Sequence, residues 1–203
     1  NNAAPMDGER HLILTPLMQA YIVDALKGLF QQSTAIAEQY VEGKMGRAIG
    51  FAWYMDQNLP TQTVGPQGGT PVVSGANQTG NTLTTTGWTA AAASRLGVGD
   101  RFTIAGVYAC HPETKAAYPH LQQFTITAIG ATTTTISPAI YLTGPRQNVC
   151  SSAGAKLATT DFNSKTLTFV GAASTSYVQN LMYHKEAFQF VTADLPLKAD
   201  AQS

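Results

Sequence analysis

Four histidines, two cysteines and a Gly-Lys turn are the features of this chain with the types needed for chemistry. A metal site or proton shuttle needs such side chains close together, as when two histidines stand at i and i+4 of a helix. His11, His111, His120 and His184 show no such spacing. Cys110 and His111 are neighbours, and a strand sends neighbouring side chains to opposite faces. His120 lies beyond a proline-containing turn, so it would oppose His111 only across a hairpin. All four read as surface or turn histidines, and no metal ligands are assigned. Gly43-Lys44-Met45-Gly46-Arg47 invites a phosphate-loop reading. That loop needs a glycine ahead of the Gly-Lys pair and a Ser or Thr after it. Glu38 and Met45 occupy those positions, so the segment reads as a tight turn with solvated bases.

Nucleophile chemistry is equally thin. No G-x-S-x-G elbow is present, and no acid pair has recognisable local context. Cys110 and Cys150 are too few for a disulfide framework or a zinc ligand set, and they read as small buried hydrophobes. Asn77-Gln78-Thr79 is a formal glycosylation sequon, but no secretory signal accompanies it. The expectation is a chain with no catalytic residues and no cofactor. The rival, an enzyme with a dispersed site, would need one of the four histidines to share a pocket with a carboxylate.

Composition narrows the classes further. The 203 residues carry 12 basic and 12 acidic side chains, a formal net charge of zero. Charged residues make up 12% of the chain, against about 25% in ordinary soluble domains. A dedicated nucleic-acid binder needs a basic face to release counterions, which this balance denies. Hydrophobic content of 44% excludes wholesale disorder. Apolar runs such as Phe51 to Met55 are far too short for a helix to cross a bilayer, and no membrane partner is expected. The chain opens Asn1-Asn2, with neither an initiator Met nor a signal peptide, and reads as a piece of something longer. These features predict a soluble, self-associating, intracellular protein.

Along the chain, Leu12-Ile13-Leu14 reads as a buried strand and Thr15-Pro16 as a helix start. Met18, Ile22, Ala25, Leu26 and Leu29 recur at helical spacing, predicting a helix over 16–30; 33–41 reads as a second. Ile49 to Tyr54 reads as a strand. From Val64 to Gly80 the chain holds glycines and prolines in a density that marks an exposed linker. Beyond it, threonine replaces charge and period-two patterns recur: Phe102, Ile104 and Val107; Phe124, Ile126 and Ala128; Leu167 and Phe169. Short strands with frequent breaks predict a small antiparallel barrel or sandwich over 67–176. The simplest organisation is α+β: this β module is inserted into a parent domain made of 1–66 and 177–203, the alternative being two consecutive domains with a frayed tail.

Two stretches carry a family resemblance. Val98-Gly99-Asp100-Arg101-Phe102-Thr103-Ile104-Ala105-Gly106-Val107, His111-Pro112-Glu113-Thr114-Lys115 and Leu121-Gln122-Gln123-Phe124-Thr125-Ile126-Thr127 resemble an inserted β-barrel. Asn180-Leu181-Met182-Tyr183-His184-Lys185-Glu186-Ala187-Phe188 resembles the return to a shell domain. Arg10-His11-Leu12-Ile13-Leu14-Thr15-Pro16, Gly46-Arg47-Ala48-Ile49-Gly50-Phe51 and Asn58-Leu59-Pro60 are similar to the same family in the same order. That family is the major capsid protein of tailed double-stranded-DNA phages, in the branch bearing an insertion domain.

The resemblance implies that 1–66 and 177–203 form the axial domain, clustered at the five-fold and six-fold positions of an icosahedral lattice. It implies a barrel on the outside of the shell, touching neighbouring subunits. The implied partners are further copies in hexamers and pentamers, a scaffolding protein, a portal and packaged DNA. The implied location is the virion, after assembly in the host cytoplasm. A neutral, threonine-rich surface suits this role, because each repeated contact desolvates little charge and a neutral inner face does not pin DNA. The hairpin between the Val107 and Phe124 strands is the candidate contact loop, with Glu113, Lys115 and Tyr118 at its tip. The alternative is a β-rich binding module for a glycan or host surface, built on Trp88, Tyr108, Tyr118 and Tyr141.

Overall fold

The structure, a computed structural model, describes residues 5–26, 46–152 and 156–192. The helix expected over 33–41, and the last residues of the one expected over 16–30, lie outside them. In chain order the elements begin β1 (Arg10–Leu14), α1 (Pro16–Leu26), β2 (Arg47–Ala48), β3 (Phe51–Met55), β4 (Thr61–Thr63), β5 (Gly69–Val73) and β6 (Gly80–Trp88). They continue β7 (Arg101–Cys110), β8 (Ala117–Ile129), β9 (Thr133–Ile140), β10 (Val149–Cys150), β11 (Leu167–Phe169), β12 (Ser176–Val178) and β13 (Leu181–His184). Among the described residues helix is sparse and sheet dominates. The chain divides into two compact units, Leu59–Gln179 and the residues on either side of it.

The described part of the smaller unit holds α1 and a four-stranded sheet in the order β13-β1-β3-β2. β1 runs parallel to β3 and antiparallel to β13. A parallel return needs a crossover, which α1 begins. Thr15 caps that helix as expected: its Oγ1 accepts the Met18 N–H at 3.3 Å, and Pro16 follows at a position whose N–H would go unused. The helix buries a different stripe from the one expected. Gln19 is buried while Leu17, Met18 and Tyr21 are exposed, because apolar residues lie on more than one side. The strand expected from Ile49 also starts later. Ile49 and Gly50 both have positive φ, 55° and 78°, as the central pair of a type I′ turn requires. They join β2 to β3, with Ala48 opposite Phe51.

The larger unit holds a sheet in the order β10-β7-β8-β9-β6-β5, with β11 also on β7. Alternation along β7 buries Phe102 and Ile104, then Val107 and Ala109. The change of phase is a register break around Gly106, whose φ of +79° admits the bulge. That break gives the outer edge of β7 two partners, β11 at Phe102–Ile104 and β10 at Tyr108–Ala109. The sheet curls until its far edge returns. Val72 of β5 bridges Thr166 beside β11, and the Val73 N–H donates to the Lys165 carbonyl at 2.9 Å. Inside lie Leu83, Phe102, Ile104, Phe124, Ile126, Ile140 and Phe162, each at most 1% exposed. Phe102 stands 5.8 Å from Phe124 and 5.5 Å from Phe169, ring to ring.

Two expectations fail here. Ala128 faces out although Phe124 and Ile126 face in, because the β8–β9 register slips between Ile126 and Ala128. The glycine-rich stretch is no exposed linker: Val64 and Val73 are buried and β5 lies within it. A Cβ on Gly65 would stand 2.6 Å from the Gly97 nitrogen, so glycine there permits close backbone packing. The chain enters and leaves this unit side by side. β4 and β12 pair antiparallel, with Thr63 opposite Ser176. The Val64 N–H donates to the Thr175 carbonyl at 3.0 Å and the Ser174 N–H to the Gly65 carbonyl at 3.2 Å.

Candidate functional site

The β7–β8 hairpin is closed by a turn whose geometry is set from within. The His111 N–H donates to the Ala116 carbonyl at 2.8 Å, and His111 Nδ1 accepts the N–H groups of Glu113 and Thr114, both at 3.2 Å. An accepting Nδ1 places the proton of a neutral ring on Nε2. Lys115, at φ 58°, turns its ammonium back on the protein. Its Nζ donates to the Pro112 carbonyl at 2.6 Å and the Pro145 carbonyl at 2.7 Å. Lys115 therefore clips the hairpin tip to the 144–147 loop. Glu113 is exposed and has no ion pair among the described residues.

Tyr118 is half-buried between two imidazoles. Its ring stacks on His120 at 5.2 Å and stands 5.8 Å from His111. Its hydroxyl is buried with no hydrogen-bond partner. The three residues singled out from the sequence thus share one hairpin end in different states. Glu113 faces solvent, Lys115 is occupied internally and Tyr118 is an aromatic filler.

The other titratable groups mostly serve the fold. His184 Nε2 lies 3.0 Å from Asp7 Oδ2, while its Nδ1 accepts the Glu186 N–H. The Glu9 N–H, and then the His184 hydrogen bond, hold the Asp7 carboxyl below its usual range. Asp7 is nearly half exposed, so this pair sits on a rim. His11 lies between Tyr54 and Tyr183, at 5.7 and 5.3 Å. Both cysteines are buried and free. Burial, and then a hydrogen bond with Cys110, push the Cys150 thiol up to about 12. Among the described residues no group of three or more His, Cys, Asp or Glu side chains is placed to hold a metal ion.

Two residues that sequence reasoning passed over organise the glycine-rich stretch. Asp100, 1% exposed, accepts the Gly97 N–H at 2.7 Å and the Gly65 N–H at 3.1 Å. An aspartate just after Gly97-Val98-Gly99 is a turn signal that could have marked it. Buried Gln78 donates to the Ser74 carbonyl at 3.1 Å and accepts the Thr84 N–H at 3.0 Å, for which no local pattern exists. The aromatics of the glycan alternative are likewise engaged. Trp88 packs on the core edge-on to Phe169 at 5.6 Å and donates to Thr85 Oγ1, and Tyr141 lies under the Arg146 guanidinium at 4.9 Å.

In the larger unit, Lys115, Asp100 and both cysteines are engaged in internal contacts or buried, while Glu113 faces solvent. Residues 6–203 match the family model described as P22 coat protein, gene protein 5. The chain belongs to that coat protein family, and its role is structural, in a phage capsid. A solved structure of the CUS-3 coat protein I-domain is 28% identical, with 54% of this chain and 96% of that one covered and a TM-score of 0.32. No curated protein sequence matches the chain. The glycan-binding alternative is not favoured.

Proposed function

We propose that this chain is the major capsid subunit of a tailed double-stranded-DNA phage or prophage. Leu59–Gln179 is the inserted β-barrel domain, carried on the outside of the shell. The flanking residues belong to the axial domain, at the five-fold and six-fold positions of hexamers and pentamers. Scaffolding protein and portal are its assembly partners, and packaged DNA touches the inner face without sequence preference. Assembly takes place in the host cytoplasm. The observation that carries this reading is the coat-protein family match across residues 6–203.

Within the reading, the β7–β8 hairpin tip is the contact loop. Glu113 supplies its free charge, and Lys115 and Tyr118 hold its form. The decisive experiment is electron microscopy of the full-length protein expressed with its scaffolding protein. Closed shells with density for an outward β body are expected. Persistent monomers under those conditions would overturn the proposal.

A further inference from the structure

In the larger unit, the large apolar side chains left substantially exposed among the described residues are Val98, Val170, Tyr177 and Val178, at 40–58%. They are not scattered. Val170, Tyr177 and Val178 line one cavity of about 330 Å³. Val98 adjoins it, since its carbonyl accepts the side-chain N–H of Gln62, another lining residue, at 2.9 Å. The wall is close-packed: a Cβ on Gly171 would stand 2.9 Å from the Tyr177 ring. A converged apolar patch beside a formed cavity is the ordinary mark of a contact site.

Charge and backbone narrow the occupant. Asp100 lies in the wall, but it is buried and its carboxylate is taken up by the Gly65 and Gly97 N–H groups. Arg101, next in the wall, is exposed and has no ion pair among the described residues. The cavity therefore joins apolar side chains to an exposed arginine that has no ion pair among the described residues, and a guanidinium favours a carboxylate in two-pronged geometry. β4 and β12, whose residues also line it, pair only with each other among the described residues. On β4 the Thr63 carbonyl already accepts the Gln62 side-chain N–H at 3.0 Å, so the outer edge of β12 is the one with hydrogen-bonding groups to offer.

We infer that this cavity docks an extended peptide segment of another protein, one carrying a carboxylate and a branched apolar side chain two residues apart. In a strand, residues i and i+2 share a face, so one meets Arg101 while the other enters between Val170 and Val178. Pairing along the ribbon edge supplies backbone affinity, and the cavity supplies selectivity.

The test is fluorescence anisotropy of a labelled, blocked pentapeptide, Thr-Glu-Thr-Val-Thr, titrated with the 203-residue chain. Saturable binding is expected, weakened about tenfold by Arg101→Gln and by glutamine in place of the peptide's glutamate. Val178→Ser is expected to weaken it comparably, with circular dichroism unchanged. The glutamine peptide, read on the unaltered chain, keeps the test decisive if a variant fails to fold. Absence of saturable binding, or binding indifferent to both Arg101 and the peptide's glutamate, would overturn the inference. So would concentration-dependent self-association of the peptide-free chain that Val178→Ser abolishes, since that outcome assigns the cavity to a second copy. None of these results depends on whether shells form.

Discussion

Lys115 illustrates how a side chain chosen for its charge can be spent before a partner arrives. Its ammonium satisfies three backbone carbonyls, one in its own turn and two in the 144–147 loop, so it holds the tip instead of projecting from it. Hydrogen bonds from a charged group contribute about 1.5–3 kcal/mol when partly shielded. Lys115→Met is expected to lower unfolding stability by about 1–2 kcal/mol in urea titration. An unchanged midpoint would mean the clip contributes nothing. Glu113→Lys, by contrast, is expected to leave the midpoint unmoved while lowering shell yield by light scattering. Equal yields would remove Glu113 from the contact. Cys150 gives a pH-dependent expectation. An unfolded thiol ionises near its ordinary value of 9.0, whereas the folded one holds its proton to about 12. Between those values the unfolded state binds fewer protons, so stability falls as pH rises. The urea midpoint should drop more steeply from pH 8 to 10.5 in the unaltered chain than in Cys150→Ala. Parallel slopes would show that burial does not hold this proton.

Among the elements, the β2–β3 turn is the most sharply testable. Ile49 is 71% exposed and sits at φ 55°, a conformation that a β-branched residue reaches only with strain. Asparagine tolerates it. Ile49→Asn is expected to raise stability by about 0.5–1 kcal/mol, seen as a higher thermal midpoint. A lower midpoint would show that Ile49 makes contacts worth more than the strain. The same turn shows what was legible in advance and what was not. Phe102, Ile104, Phe124 and Leu167 declared themselves inward because period two is a property of the strand alone. The glycines around Gly65 did not. Density of glycine means freedom in an unpacked chain and close backbone approach in a packed one, and only the packed neighbour, here Arg95 to Gly97, distinguishes them. Ala128 was misplaced for a related reason, since a bulge is set by the register of the neighbour. The clip on Lys115 and the cradle on Asp100 join residues far apart in sequence, beyond any local pattern.

At the scale of the whole molecule, net charge of zero and a charge density of 12% were readable at once, and so was the order of the coat-protein stretches. What composition could not place was the apolar exposure. Outside Leu59–Gln179 it includes Leu17, Tyr21, Tyr54, Met182, Phe188 and Phe190, the last 92% exposed. Large apolar side chains left in water are the raw material of association, and a capsid protein has many copies of itself to present them to. The paired β4 and β12 carry a separate consequence. Their ladder fixes the doorway of the larger unit at about one interstrand spacing, roughly 5 Å. Whatever is lengthened, shortened or exchanged beyond that doorway, the two threads feeding it stay the same distance apart. A lineage can therefore remodel the cargo without re-tailoring the garment that holds it.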